Sequence, residues 1–236
     1  MGSSRLPGKV LKKICKKTIL ELIYERLTNI SNVKSIILVT GSLEQNKQLI
    51  DEAKKINLDY FCGNEENILD RFFNASKKYP SDNIIRVLAD CPLVDFELIN
   101  KALQIFNNNE FDILSIARKR TFPHGLDFEI FKKKALDTSW KDKFNEIGNF
   151  DEFQSSFINP VKYMLEDKKF INYDLINNEN LSNIRLTVDF PEDFELVSII
   201  YENLYEKNKK FTLKEILELL KQKPELLEIN KKHVVY

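Results

Sequence analysis

The sequence predicts an α/β protein whose mostly parallel sheet is covered by helices on both faces. Short apolar runs at 33–40, 58–62, 84–89 and 111–116 alternate with segments whose apolar residues recur at helical spacing. Strands buried on both faces lose the two-residue alternation, and alternating β and α segments are most simply joined as parallel strands with crossover helices. A chain of 236 residues, 43% hydrophobic, suits one large domain, or one domain with a protruding subdomain.

The elements follow in order. Thr18 and Glu21 form a capping-box pattern ahead of Ile19, Leu22, Ile23, Leu27 and Ile30, which predicts the first helix. Residues 33–40 read as a buried strand, and Gly41-Ser42 turns the chain into a second helix ending near 56. Residues 58–62 read as a strand broken by Gly63-Asn64-Glu65-Glu66, and a third helix runs through Ile68, Leu69, Phe72, Phe73 and Ala75. Residues 84–89 form another buried strand, ending at Asp90-Cys91-Pro92. Asp95 caps a helix carrying Leu98, Ile99, Ala102, Leu103 and Phe106, and 111–116 is a further strand. Pro123-His124-Gly125 is a turn before a strand at 126–131, whereas 132–174 mixes helical and extended patterns. Residues 184–188 read as a strand ending at Asp189. Pro191-Glu192-Asp193 opens a helix with proline and acids in its first turn, and the last amphipathic helix covers 213–220. Neither a repeat nor a long linker divides the 1–236 span.

Thirty-six cations balance thirty-six anions, so no global field draws the chain to nucleic acid or an anionic membrane. The early lysines lack the interleaved aromatics of a stacking surface, and no run approaches the roughly 18 apolar residues needed to span a bilayer. The three cysteines have no metal-like spacing, and an odd number argues against a disulfide framework. That usage fits a reducing cytoplasm.

Gly2-Ser3-Ser4-Arg5-Leu6-Pro7-Gly8-Lys9 has the composition of a phosphate cradle, with glycines for close backbone approach and Arg5 and Lys9 for charge; it is also the composition of an ordinary turn. Asp90 and Asp189 each follow a predicted strand, where ligands collect in open α/β sheets. Such a pair suits Mg²⁺, which takes a few carboxylates plus substrate phosphates, although each aspartate alone reads equally as a turn former or helix cap. Asp70-Arg71 lies on the third helix, where an ion pair or solvent exposure is the ordinary assignment. His124 is one of only two histidines and sits in a turn, open to general-base duty or a structural role. Cys91 reads as a small buried side chain and Trp140 as core.

Gly-Ser-Ser-Arg-Leu-Pro-Gly-Lys-Val-Leu resembles the nucleotide loop of the sugar cytidylyltransferases, especially the spore-coat-polysaccharide branch related to acylneuraminate and Kdo cytidylyltransferases. The likeness continues through Gly63-Asn-Glu-Glu-Asn-Ile-Leu-Asp-Arg71, Ala89-Asp-Cys-Pro-Leu-Val-Asp95, Phe122-Pro-His-Gly-Leu-Asp-Phe-Glu129 and Arg185-Leu-Thr-Val-Asp-Phe-Pro-Glu-Asp-Phe-Glu195. These five blocks stand in the family's order across nearly the whole chain. The resemblance implies a three-layer, Rossmann-like nucleotide-diphospho-sugar transferase fold with a protruding sugar-binding and dimerisation region at about 120–180. It implies a cytoplasmic, homodimeric enzyme that joins CTP to a small acidic or modified sugar with Mg²⁺, in polysaccharide synthesis. By the same carry-over Arg5, Lys9, Asp90 and Asp189 are catalytic, with Asp90 and Asp189 ligating the metal. Gly2, Ser3, Ser4, Arg5, Lys9, Asp70 and Arg71 line the nucleotide, and His124, Asp127 and Glu129 face the sugar.

The chain departs from the family in three places. The family begins several residues earlier, with a strand ending in Ala-Arg, and the resemblance leads us to expect that Met1 is an internal methionine of a longer reading frame. Gln154-Ser-Ser-Phe-Ile-Asn-Pro160 replaces an Arg-Glu-His-type segment. Ala89 and His124 stand where Gly and Asp are usual. Two alternatives remain at this stage: a glycosyltransferase of the same fold, for which Asp90-Cys91-Pro92 lacks the second acid of an Asp-x-Asp motif, and a catalytically inert homologue.

Overall fold

The computed structural model describes residues 5–234. A short 3₁₀ turn (Lys9–Leu11) leads into a two-residue hairpin of β1 (Lys13–Ile14) and β2 (Lys17–Thr18). The Thr18 hydroxyl accepts the Glu21 N–H and starts α1 (Ile19–Leu27). Next come β3 (Ile37–Thr40), α2 (Lys47–Lys55), β4 (Asp59–Cys62) and α3 (Ile68–Lys78), whose first turn is capped by Asn67. β5 (Asn83–Val87) precedes α4 (Phe96–Asn107). One oxygen of Asp95 accepts the Leu98 N–H to start α4, and the other accepts the Leu213 N–H, so a single carboxylate sets the start of two helices. The chain continues through β6 (Ile113–Ser115), β7 (Phe128–Lys132), α5 (Lys133–Ile147), α6 (Phe150–Ser155), α7 (Pro160–Glu166), β8 (Asn172–Asp174), α8 (Pro191–Leu204) and α9 (Leu213–Gln222).

The main sheet has the order β5-β7-β6-β8. β7 runs antiparallel to both β5 and β6, and β6 runs parallel to β8; β5, β6 and β8 therefore point the same way and β7 alone opposes them. The alternation of side chains sorts the core into two layers. Leu114 and Ile130, opposite each other in register, join the large cluster with Ile99, Phe106, Leu196 and Ile200 of α4 and α8. Ile113 and Phe131, the neighbouring pair, point the other way into a cluster with Leu69, Leu136 and Met164 of α3, α5 and α7. Helices on both faces follow from this two-residue period. β3 and β4 pair in parallel as a separate ladder, packed with α1 and α2 through Leu20, Leu49, Ala53 and Leu58.

Two expectations change. Residues 132–174 are mostly helical: α6 and α7 are short helices started by Asn149 and Asn159, and their polar caps mask the pattern. Residues 184–188 form no strand ladder; the segment pairs with loops. His124 N–H donates to the Ile184 carbonyl, Leu186 N–H to the His124 carbonyl and Val188 N–H to the Asp90 carbonyl. These runs are apolar because Leu186 and Val188 are fully buried, and burial alone does not require a ladder.

Gly125 makes this loop pairing possible. Its φ is 109°, and a Cβ there would lie 2.2 Å from the Thr187 nitrogen and 2.3 Å from the Leu186 carbonyl carbon. Both obstacles are backbone, so no side-chain rotation relieves them. Gly125→Ala should lower stability by at least about 2 kcal/mol through φ strain and overpacking, read as a lower urea midpoint with unchanged slope.

Candidate functional site

The loop pairing brings the two aspartates together. The Asp90 carbonyl accepts the Val188 N–H (2.8 Å) and the Thr187 hydroxyl (3.0 Å), so the segment carrying Asp189 is tied to the loop that leaves β5. Lys9 Nζ then bridges the carboxylates, 3.1 Å from Asp90 Oδ2 and 2.8 Å from Asp189 Oδ1. An Arg5 guanidinium nitrogen lies 3.5 Å from the same Asp189 oxygen, and its guanidinium stacks 4.8 Å from the centre of the Phe190 ring. Gly2, Ser3 and Ser4 lie outside the described residues.

Beneath this cluster Arg185 is nearly fully buried. Its Nε and Nη2 donate to the two oxygens of Asp193 at 2.9 and 2.8 Å, Nη2 also donates to Asp189 Oδ2 at 3.1 Å, and Nη1 stands 3.1 Å from His124 Nδ1. Asp193 is fully buried and also accepts the Asp189 and Phe190 N–H groups, both at 3.0 Å, as well as the Asn230 side-chain amide. One carboxylate thus starts α8 and orients the chain around Asp189. The C-terminal segment closes the same site from below: His233 stacks on Phe190 with ring centres 3.7 Å apart, and its Nε2 lies 3.1 Å from Glu192. Burial works against ionisation of Asp189, but the hydrogen bond and charge of Lys9, joined by Arg185 and Arg5, outweigh it and hold the carboxyl below its ordinary range.

His124 connects this cluster to a second one. Arg120 pairs with Asp127 through two contacts, at 2.6 and 3.3 Å, and His124 Nε2 stands 3.6 Å from Asp127. Burial, reinforced by the Arg120 and Arg185 cations, lowers the His124 pKa despite Asp127. The neutral ring accepts from Arg185 at Nδ1, which leaves the proton on Nε2 as a donor. Glu129 is buried against Arg86 at 2.9 Å, and burial raises its pKa. Glu129 is therefore occupied by β5.

Asp70 and Arg71 have partners of their own within the fold. Asp70 is buried and accepts the Trp140 indole N–H at 2.8 Å, while Arg71 donates to the Asn64 carbonyl. Trp140 stacks between Phe73 and Phe144, so this carboxylate anchors an aromatic cluster on α5. Gln154 accepts the Asn64 side-chain amide with both its backbone and side-chain oxygens, so the segment at 154–160 clasps the loop that starts α3. Cys91 is buried, with its thiol pKa pushed well up by burial and by Asp90, and has no nucleophilic character.

Sequence reasoning missed Arg185, Asp193, Arg120 and Asn230. Arg185, Asp189 and Asp193 recur every four residues, but only Asp193 lies within a helix, so helical spacing gave no signal. Asn230 lies far along the chain, with no local pattern to mark it.

The donor set fits a magnesium ion. Two carboxylates converge on one ammonium, which stands where a cation is favoured, and among the described residues no group of three or more metal-binding side chains forms a self-sufficient site. Two protein carboxylates with substrate phosphates completing the shell is the usual arrangement for Mg²⁺.

A family profile described as Cytidylyltransferase matches residues 1–232. An uncharacterized protein of Methanocaldococcus jannaschii is 31% identical over 97% of this chain and 90% of its own. The spore coat polysaccharide biosynthesis protein SpsF of Bacillus subtilis is 25% identical over 95% and 92%. Among solved structures, a cytidylyltransferase from Leptospira borgpetersenii superposes with a TM-score of 0.84 at 28% identity, covering 96% of this chain and 92% of that one. A CMP:2-keto-3-deoxy-manno-octonic acid synthetase complexed with CTP shares the fold, with a TM-score of 0.58 at 15% identity over 86% and 95%.

Removing one partner of a buried ion pair strands the other charge, at a cost of about 3–5 kcal/mol. Asp193→Ala should destabilise the protein by about that much, and the Arg185→Met/Asp193→Leu double variant should lose less than the two single variants summed, as measured by denaturant melts.

Proposed function

The chain belongs to the cytidylyltransferase family, and we propose that it joins CTP to a small acidic or modified sugar, releasing pyrophosphate and a CMP-sugar for polysaccharide or glycan synthesis. The supporting observation is the convergence of Asp90 and Asp189 on Lys9, with Arg5 alongside, at the carboxyl edge of β5. A sugar hydroxyl oxygen bonds to the α-phosphorus and gives up its proton to solvent, the bond from the α-phosphorus to the α,β-bridging oxygen breaks, and negative charge grows on the departing pyrophosphate. Lys9 and Arg5 are the cations placed to meet that charge. Their present partners are carboxylates, so arrival of a polyphosphate offers them a second anion without moving them from the site.

Asp90 and Asp189 are the residues to hold Mg²⁺, which when bound supplies charge neutralisation at the phosphates. Arg185 keeps one Asp189 oxygen oriented through the buried Asp193, so the carboxylate needs no reorganisation during the reaction. On the sugar side, His124 presents a donor at Nε2, and Arg120, whose side chain is 27% exposed, is the cation that an acidic sugar meets. Asp127 holds Arg120 in place and Glu129 holds Arg86. Family membership favours this reaction over the glycosyltransferase alternative. No helix among the described residues is long and apolar enough to cross a membrane, and we place the reaction in the cytoplasm. Phe150 and Phe157, 60% and 71% exposed, make the 120–180 region the face we assign to self-association as a homodimer.

Pyrophosphate release from CTP and Mg²⁺ across a panel of acidic sugars tests the proposal. Asp90→Asn and Asp189→Asn should each lower kcat by about 10²–10³, the range for loss of one preorganised charge-stabilising group, and EDTA should abolish turnover. Lack of pyrophosphate release with every sugar, by a folded chain that binds CTP, would instead support the inert homologue.

A further inference from the structure

The turn that carries His233 reaches the site through one aromatic ring. His233 belongs to a 3₁₀ turn (Lys231–His233), and its imidazole lies within 2° of parallel to the Phe190 ring, with centres 3.7 Å apart. A flat ring at that distance covers one face of Phe190. Arg5 Cζ stands 4.8 Å over the centre of the same ring, inside the roughly 6 Å of a cation–π contact. With one face filled by the imidazole, the guanidinium uses the other. Phe190 is thus sandwiched between His233 and Arg5.

The stack is clamped at its base. The Asn230 side-chain amide donates to the Arg185 carbonyl at 3.0 Å and to Asp193 at 2.9 Å, and Asp193 also accepts the Phe190 N–H, so turn and ring share one buried anchor. Lys232 pairs with one Glu192 oxygen at 2.6 Å, and His233 Nε2 stands 3.1 Å from the other. Lys232 first, then a backbone N–H and His233, hold the Glu192 carboxyl down at about 2. An ionised carboxylate only accepts, so His233 donates from Nε2 and its ring plane is fixed. Asp193 already holds the Phe190 backbone without this clamp. What the clamp adds is a fixed ring face for Arg5.

Arg5 takes its place from that face more than from its carboxylate. Its nitrogen lies 3.5 Å from Asp189 Oδ1, long beside the about 2.7–2.9 Å of a charge-assisted hydrogen bond, and Lys9 Nζ already stands 2.8 Å from that oxygen. The Arg5 side chain is 54% exposed. A guanidinium resting on a ring uses its π face there and keeps its in-plane N–H groups for a phosphate. Resting on the reading that Arg5 meets the polyphosphate, we infer that His233 is a positioning residue for Arg5. Through Phe190 it sets where that cation stands, and with it the affinity for a polyphosphate.

Two measurements on the full chain test this. In NMR spectra of protein carrying isotope-labelled arginine, the Arg5 side-chain resonances, assigned with Arg5→Lys, should be displaced by the Phe190 ring current in the absence of phosphate. His233→Gln keeps a donor for Glu192 but no ring, and should move them toward the values of a solvated arginine. His233→Phe keeps a flat ring and should leave them in place. Inorganic tripolyphosphate, titrated by calorimetry, should bind His233→Gln about two- to fivefold more weakly than the parent, the range for an exposed cation–π contact, and His233→Phe within about twofold of it. On an Arg5→Ala background His233→Gln should cost nothing further. Phe190→Leu, which keeps apolar bulk without a π face, should give the same non-additive loss and serves if His233→Gln does not fold. Unchanged Arg5 resonances in folded His233→Gln, or an equal loss of affinity with and without Arg5, would overturn the inference. The resonance test involves no phosphate, so it can fail while the parent still releases pyrophosphate from CTP. A parent that binds no tripolyphosphate would instead overturn the phosphate role of Arg5 together with the affinity that the inference assigns to it.

Discussion

The site depends on one buried ion pair. Arg185 and Asp193 neutralise each other in a region from which water is excluded, and each uses its remaining hydrogen-bonding capacity on the surroundings. Arg185 orients Asp189 and accommodates His124; Asp193 holds the backbone of residues 189 and 190 and the start of α8. A buried pair of this kind adds little net stability against an apolar replacement, but losing half of it is costly. Its value here is geometric. The Asp189 carboxylate and the His124 imidazole are both referenced to one buried guanidinium.

Charge is then distributed in a graded way. The deepest groups, Arg185 and Asp193, satisfy each other, while Lys9 and Arg5, on the N-terminal loop, satisfy carboxylates that remain partly open to solvent. In the proposed reaction the outer cations are the ones a polyphosphate competes for, and the inner pair serves as their fixed support.

Much of the fold was legible because local rules and tertiary structure agree. Thr18 and Asp95 start helices as their side-chain chemistry demands, and Asp90 and Asp189 could be paired on paper because both follow apolar runs. The failures share a cause. Residues 184–188 and 84–89 are both apolar, and the second forms β5 as expected, paired with β7, whereas the first bonds to loops; hydrophobicity reports a preference for burial and says nothing of the partner. Asp70 next to Arg71 suggests a charged surface, and nothing in the sequence shows that Trp140, seventy residues on, claims the carboxylate. Arg185 lay inside a quoted motif, but its role requires knowing that His124, Asp189 and Asp193 surround it.

The central claim is that Asp90 and Asp189 together form a cation site facing CTP. Anomalous diffraction from crystals grown with CTP and Mn²⁺ addresses it directly. The account predicts a manganese peak between the carboxylates of these two residues, with Lys9 turned onto the phosphates. A peak elsewhere, or nucleotide bound with both carboxylates still held by Lys9 and no metal between them, would contradict it.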